Sequence, residues 1–520
     1  MEDLQIAVRD NLLIIIKMKK NLIINLIFFS LSNFYAQDLN TALMFSNGET
    51  LGTARFKSMS GAFGALGGDL SAVSINPAGS TIFNSSQGTL TAATNKSSYD
   101  VTYSNSKNIN SLFNLDLSQI GAAFVFKNNY NSSPWNKFVI SVFYERLDNY
   151  DSEFSIAGNT NKSISSYFME NANGLELVNI SAFEGESISQ AYSAIGSTFG
   201  YQNQQAFLGY NSYILDPAEE IDENTVYLSN IAPGNFYQQY DYQTNGNNGK
   251  LSANIAFQYN ENINFGLNLN SHFIEFEKST YLLEENNNDG SSINLVNFQN
   301  QLYTNGEGFS MQFGGLFKLS HSFRFGVSYS SPTWLTLREE STQYLATSSI
   351  IDDTSYIVNP SIVNIFPEYN LKTPGNIMGS FAYVHGKVAI ISFDFESKNY
   401  ANTSFDTGNN QLDILLNNSI NNTFTTSNTY RLGAEFRNKN ISYRAGFKSQ
   451  ESPYRNKNFY GDLSGYSFGL GYDFNNTRLD LSYENIKRSY SQKLYQSGNL
   501  NSLRLQNNAS IISLSLTMKL

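Results

Sequence analysis

A transmembrane antiparallel β-barrel of about fourteen strands, with a small N-terminal hatch in its lumen, is the all-β fold this 520-residue sequence predicts. Three observations carry the prediction. Apolar and polar residues alternate with a period of two in fourteen segments of the chain. The links between those segments alternate between tight turns and long loops. The composition is polar yet aromatic: 41% hydrophobic, 14% aromatic and 15% charged, with a mean hydropathy of −0.32. That is too polar for a bundle of membrane helices and too aromatic for a disordered chain.

Taken from the N-terminus, Met18, Lys19 and Lys20 precede the apolar run Leu22 to Leu31, and a short polar stretch ends at Ala36. Charged, apolar and small residues in that order predict a secretory signal over 1–36, with translation starting at Met18 and cleavage before Gln37. Phe34 stands where the cleavage pattern favours a small residue.

Residues 37–87 lack alternation and are dense in Gly and Ala, which predicts the compact hatch. Met59, Phe63, Leu66, Leu70 and Val73 share one helical face, but Gly61, Gly64, Gly67 and Gly68 should keep any helix short. Asn76 and Pro77 have the chemistry of an N-cap and first residue of a further short helix.

The barrel is predicted over 88–520, with strands starting near residues 88, 116, 135, 250, 262, 307, 322, 371, 387, 427, 440, 463, 477 and 508. In the last, Ile512, Leu514, Leu516, Met518 and Leu520 oppose Ser513, Ser515, Thr517 and Lys519. Tight turns such as Asn260–Glu261, Asn438–Asn440 and Asn475–Thr477 join strands as hairpins. The long links start at Asp151 (about 98 residues), Lys278 (about 29), Thr342 (about 28) and Ala401 (about 26). Short periplasmic turns and long extracellular loops have this rhythm in outer-membrane barrels. The long loop 151–249 contains apolar clusters, Ile164 to Met169, Leu175 to Val178 and Ile188 to Phe199, that suggest short amphipathic helices. The apolar strand faces should meet lipid, with Tyr329, Trp334 and Tyr472 at headgroup level. Arg324, Lys318, Arg431, Glu435, Arg437, Arg444, Lys448, Asp480 and Glu484 then face the lumen.

The run GTARFKSMSGAFGALGGDLSAVSINPAG, Gly52 to Gly79, resembles the N-terminal hatch of the FadL/TodX family of outer-membrane transporters for hydrophobic compounds. VSYSSPTWL (Val327 to Leu335), LKTPGNIMGSFAYV (Leu371 to Val384), YRLGAEFR (Tyr430 to Arg437), ISYRAGFKSQESPY (Ile441 to Tyr454) and GYSFGLGYDF (Gly465 to Phe474) resemble it too. The resemblance implies passive uptake of hydrophobic molecules such as long-chain fatty acids. They would be captured at the extracellular rim, released by hatch rearrangement, and passed sideways through the wall of a Gram-negative outer membrane. Asn76, Pro77, Ala78 and Gly79 are then hatch and gating residues, and Arg431, Arg444, Arg324 and Lys318 are candidates for a ligand carboxylate. Each cation could equally pair with an acidic neighbour such as Glu435 or Asp480. The family's third strand is kinked inward at a lateral gate, yet Trp135 to Tyr150 has no internal Gly or Pro to mark a kink, and a bulge would need neither.

The expected partners are the hydrophobic ligand, outer-membrane lipid and lipopolysaccharide, with the chain a monomer. A net charge of −11 without a basic block argues against nucleic acid. No cofactor, metal or catalytic residue is expected. Cysteine is absent, and His272, His321 and His385 are scattered. The alternative readings are a secretion shuttle or assembly factor of the same family, docking protein partners on the 151–249 loop, and a hydrolase, which would need His272 beside a reactive serine.

Overall fold

The computed structural model describes residues 39–48, 51–128, 133–351 and 353–520, so the signal reading over 1–36 lies outside the described residues. Fourteen passes of antiparallel strand make one closed wall. They are β1 (Gln87–Tyr103), β2 (Ser106–Lys127), β3 (Trp135–Asn149) continued by β4 (Ser152–Thr160), β5 (Phe236–Tyr259), β6 (Ile263–Glu285) and β7 (Ile293–Lys318). Next come β8 (Phe323–Ser330) continued by β9 (Trp334–Ser349), and β10 (Tyr369–Lys372) continued by β11 (Asn376–His385). The wall ends with β12 (Ala389–Asn399), β13 (Thr426–Asn438), β14 (Ile441–Gln450), β15 (Leu463–Asp473), β16 (Thr477–Lys493) and β17 (Ser502–Lys519). β1 pairs with β17 from Gln87↔Lys519 to Thr102↔Arg504, which closes the ring.

Alternation sorts the two faces. Ile512, Leu514, Leu516 and Met518 on β17, Leu479, Leu481 and Tyr483 on β16, and Phe265, Leu269 and Phe273 on β6 stand outward and exposed. Tyr329, Trp334 and Tyr472 join them. Ser513, Ser515, Asp480 and Ser482 point inward and are buried. A closed barrel with an apolar outer band satisfies its backbone internally and suits a bilayer.

Several strands run far past the band. β7 has 26 residues, where about ten cross a bilayer. The strands placed near 116, 250, 307 and 508 in fact begin at Ser106, Phe236, Ile293 and Ser502. The link expected from Lys278 is mostly strand, because Leu282, Val296 and Phe298 turn inward against a cap while the outer face meets water. The insert proper is therefore 161–235. It forms that cap with helices at Ser165–Ala172, Ile188–Phe199 and Tyr201–Asn211 and its own core around Phe168, Tyr192, Phe207 and Ile214. Ser187 and Gln190 close a capping box on the second of these.

At the N-terminus α1 (Leu39–Ser46) precedes two short helices, α2 (Ala54–Lys57) and α3 (Leu70–Ile75), and a 3-10 turn at Pro77–Ile82. Asn76 caps that turn, its side chain accepting from the Ala78 amide. The shared face from Met59 to Val73 is not one helix. Ser60, Gly61, Gly67 and Gly68 all have positive φ and break it.

Candidate functional site

The hatch makes a floor across the barrel. Wall side chains reach in to bond its backbone. Asp394 Oδ2 accepts the Phe63 and Gly64 amides, each at 2.9 Å. Asn268 and Gln312 donate to the Val73 and Ser74 carbonyls, each at 2.8 Å, and Lys137 donates to the carbonyls of Thr81 and Phe83. Asn76 Nδ2 donates to Gly64 O of the hatch and to Gly315 O of the wall. Arg55 and Lys57 pair with Glu435 and Glu484. Where the hatch backbone comes closest, the wall presents glycine. A Cβ built on Gly266, Gly326, Gly433, Gly446 or Gly469 would lie under 3 Å from hatch atoms. At these five points hatch and wall are in direct contact, with no space for a side chain.

Above this floor the wall parts. β2 and β3 are paired only from Lys127↔Lys137 to Gln119↔Glu145. At that height β2 bulges, because Thr91 faces Gln119 and Ala92 faces Leu117, leaving Ser118 extra. β3 bulges at the same level, at Leu147 between Arg146↔Gly249 and Asp148↔Asn248. Each bulge bends its strand, and the ladder between them ends. The seam above is spanned by side chains. Asp116 pairs with Arg146 and accepts from Asn149, while Asn114 donates to Asp151 Oδ2 at 3.0 Å and Asn108 to Ser155 O at 2.8 Å. On the inside, the Leu51 amide donates to Arg146 O and Ser118 Oγ to Gly52 O.

Beside the seam lies an apolar chamber, and α1 fills it. Ala42, Leu43 and Phe45 pack among Tyr150, Phe276, Leu337, Tyr369, Leu371 and Tyr400. Phe45 meets the Tyr150 and Phe276 rings edge-on at 5.9 and 6.3 Å. Tyr150 sits in the break between β3 and β4, so chamber and seam share a wall. At the end of α1, Lys398 Nζ donates to Ser46 O at 2.5 Å, a cation on the negative end of a helix. The Nζ also lies 5.2 Å from the Tyr400 ring centroid.

No family model and no curated protein matches the sequence. Among solved structures, a Pseudomonas aeruginosa FadL homologue superposes with a TM-score of 0.55 at 10% identity, covering 91% of this chain and 99% of that one. The Pseudomonas putida toluene transporter TodX gives 0.47 at 11% identity over 89% and 97%, and the CymD monoaromatic hydrocarbon channel 0.45 at 12% over 90% and 97%. The chain has the FadL fold.

In this FadL-type barrel Asn76, Pro77, Ala78 and Gly79 are all buried in the floor, at its bonds to β5, β6 and β7. The four lumen cations are dispersed. Arg444 is fully buried between Glu435 (2.7 Å) and Asp480 (2.9 Å). Arg431 pairs with Glu396 at 2.7 Å, Arg324 donates to the hatch carbonyl of Leu66, and Lys318 stands half-buried at the short-turn rim. None of them lines the α1 chamber's apolar core. The chamber cation is Lys398, which the sequence reading did not single out. The clue to the seam was present but unread: outward apolar residues of β2 are odd-numbered to Leu117 and even-numbered from Ile120, the parity switch a bulge leaves.

His272 does have a serine beside it, Ser310 Oγ at 2.8 Å from Nε2. Ser310 also accepts from Asn270, and no acidic hydrogen-bond partner for the imidazole is seen among the described residues. Ser-His catalysis needs a carboxylate or equivalent to orient the base, so the geometry is that of a cross-strand polar ladder.

If Arg444 is a framework residue, Arg444→Met takes from buried Glu435 and Asp480 the cation they share, leaving Glu435 to Arg55 and Arg437 and Asp480 to Arg478. The expected cost is about 1.5–3 kcal/mol, read as earlier loss of the folded band on heated, unboiled gels. Unchanged stability with weakened ligand binding would instead make Arg444 a ligand anchor.

Proposed function

We propose that this chain is an outer-membrane channel for passive uptake of hydrophobic small molecules, releasing them sideways through the seam between β2 and β3/β4. One observation carries the reading: an apolar chamber adjoins a parted wall above the hatch floor. A hydrophobic solute gains nothing by descending into a polar, hatch-filled lumen, whereas the seam opens at the upper edge of the apolar band, beside Leu117 and Ile120. Capture would begin on the cap, where Phe183, Ala194 and Ile362 line an open groove of ≈ 800 Å³.

α1 then acts as the movable part of the hatch region. Its apolar face and its carbonyl on Lys398 together imitate a long hydrophobe with an anionic end, so a fatty acid would take both its space and its cation. Removing residues 39–46 is expected to raise the affinity of the purified chain for a fluorescent fatty acid about tenfold or more, because binding no longer competes with the helix. Unchanged affinity would place the ligand elsewhere.

The overall reading is tested by uptake of labelled oleate and toluene in cells with and without the chain. Uptake that depends on the chain supports it. Equal uptake, or free passage of small sugars, overturns it, and a co-purifying secretion complex would favour a shuttle.

A further inference from the structure

On β2 the outward apolar row continues beyond the point where its neighbours turn polar. β1 goes on from Thr94 with Lys96, Ser98 and Asp100, and β17 from Ile512 with Ser510, Asn508 and Gln506. β2 is hydrogen-bonded to β1 over the same stretch, yet it sets Phe113 opposite Lys96 and Ile109 opposite Asp100, each 64% exposed. Leu115, at 69%, and Leu117 complete the row, which Ser111 alone interrupts, between Ile109 and Phe113. The Ser118 bulge holds this row in phase with Ile120, Phe124 and Phe126 below, which lie within the apolar band. Above Gln119 no strand among the described residues pairs with the other edge of β2, so the row borders the seam directly.

A wall residue outside the lipid has no solvation reason to be Phe or Leu, and exposed apolar side chains in a continuous row mark a contact surface. We propose that the outer face of β2, from Ile109 to Leu117, is a landing surface along which a hydrophobic solute leaving the seam passes down into the outer leaflet. This rests on the channel reading. A solute emerging between Asp116 and Arg146 meets the polar headgroup zone first. From Phe113 through Leu117 the row gives it unbroken apolar contact down to Ile120 and the lipid. Its continuity with the lipid-facing row at one end and the seam at the other favours a solute in transit over a fixed partner.

The test uses the full chain reconstituted in vesicles with a fluorescent fatty acid. Phe113→Ser with Leu115→Ser is expected to slow delivery into the vesicle lipid about three- to tenfold, since two apolar contacts are lost on the path. Equilibrium binding by the detergent-solubilised chain should not change, because the chamber is untouched. Phe113→Leu with Leu115→Ile should restore the rate, and Leu514→Ser, an equally lipid-facing change away from the seam, should leave it unaltered. Serine variants delivering at the unsubstituted rate overturn the proposal. So does a change confined to oligomeric state or to co-purified lipid, which would make the row a contact for a second copy or for resident lipid. If the unsubstituted chain delivers nothing, the channel reading itself has failed.

Discussion

Oxidising a chain that carries Asn114→Cys and Asp151→Cys is expected to stop uptake of hydrophobic solutes by at least about tenfold, and a reductant is expected to restore it. The two side chains face each other across the seam at 3.0 Å, one on β2 and one at the break between β3 and β4. A direct disulfide needs Cα atoms within about 7 Å, and a short bifunctional thiol reagent bridges the same pair across a wider seam. The chain has no cysteine of its own, so the engineered pair has no competitor. Locking this point leaves floor, chamber and cap groove unaltered and removes only the freedom of the seam to widen. Full uptake by the oxidised chain would mean that solutes leave by another path.

The second large effect is expected at the floor. Gly446→Leu drives a side chain into the backbone of Met59 and Ser60, where even a Cβ has no space. Overpacking of this kind costs about 1–3 kcal/mol and here is relieved most easily by moving the hatch. The variant should then conduct ions in planar bilayers and sensitise cells to large hydrophilic antibiotics, which the unsubstituted chain should not. If the variant fails to insert, Lys57→Ala asks the same question more gently, since it removes the bond to Glu484 without adding bulk. A tight bilayer with either variant inserted would show that the floor is held by other contacts, or that the lumen is closed at another level.

Strands were legible wherever the two faces of the wall meet lipid and packed polar side chains, as at Ile512 to Leu520, because that contrast writes itself as a period of two. They were illegible where the outside is water. Gln299, Gln301 and Tyr303 lie on β7 but mix polar and aromatic residues on a solvent face, so the segment passed for loop. The lumen side of the candidate cations was legible as well. Their partners were not, because Arg444 finds Glu435 on one neighbouring strand and Asp480 two strands away, a register no single sequence states. The seam escaped for a related reason: a bulge is a relation between two strands, visible along one strand only as the parity switch at Ser118. Lys398 looked ordinary until α1 was found lying against it.

The floor has a consequence for how the molecule is made. Its hatch comes first along the chain, but it is held by strands from the whole length of it, the last included: the Ala54 amide bonds Ser515 Oγ, 461 positions further on, and Lys57 reaches Glu484 on β16. With such contacts on every side, the hatch is expected to be in place while β16 and β17 come round to meet β1. The N-terminal segment would then serve as a mandrel for assembly, with closure of the ring and seating of the hatch expected as one cooperative event. Chains shortened at β17 should lose both together, leaving neither an empty ring nor a free plug.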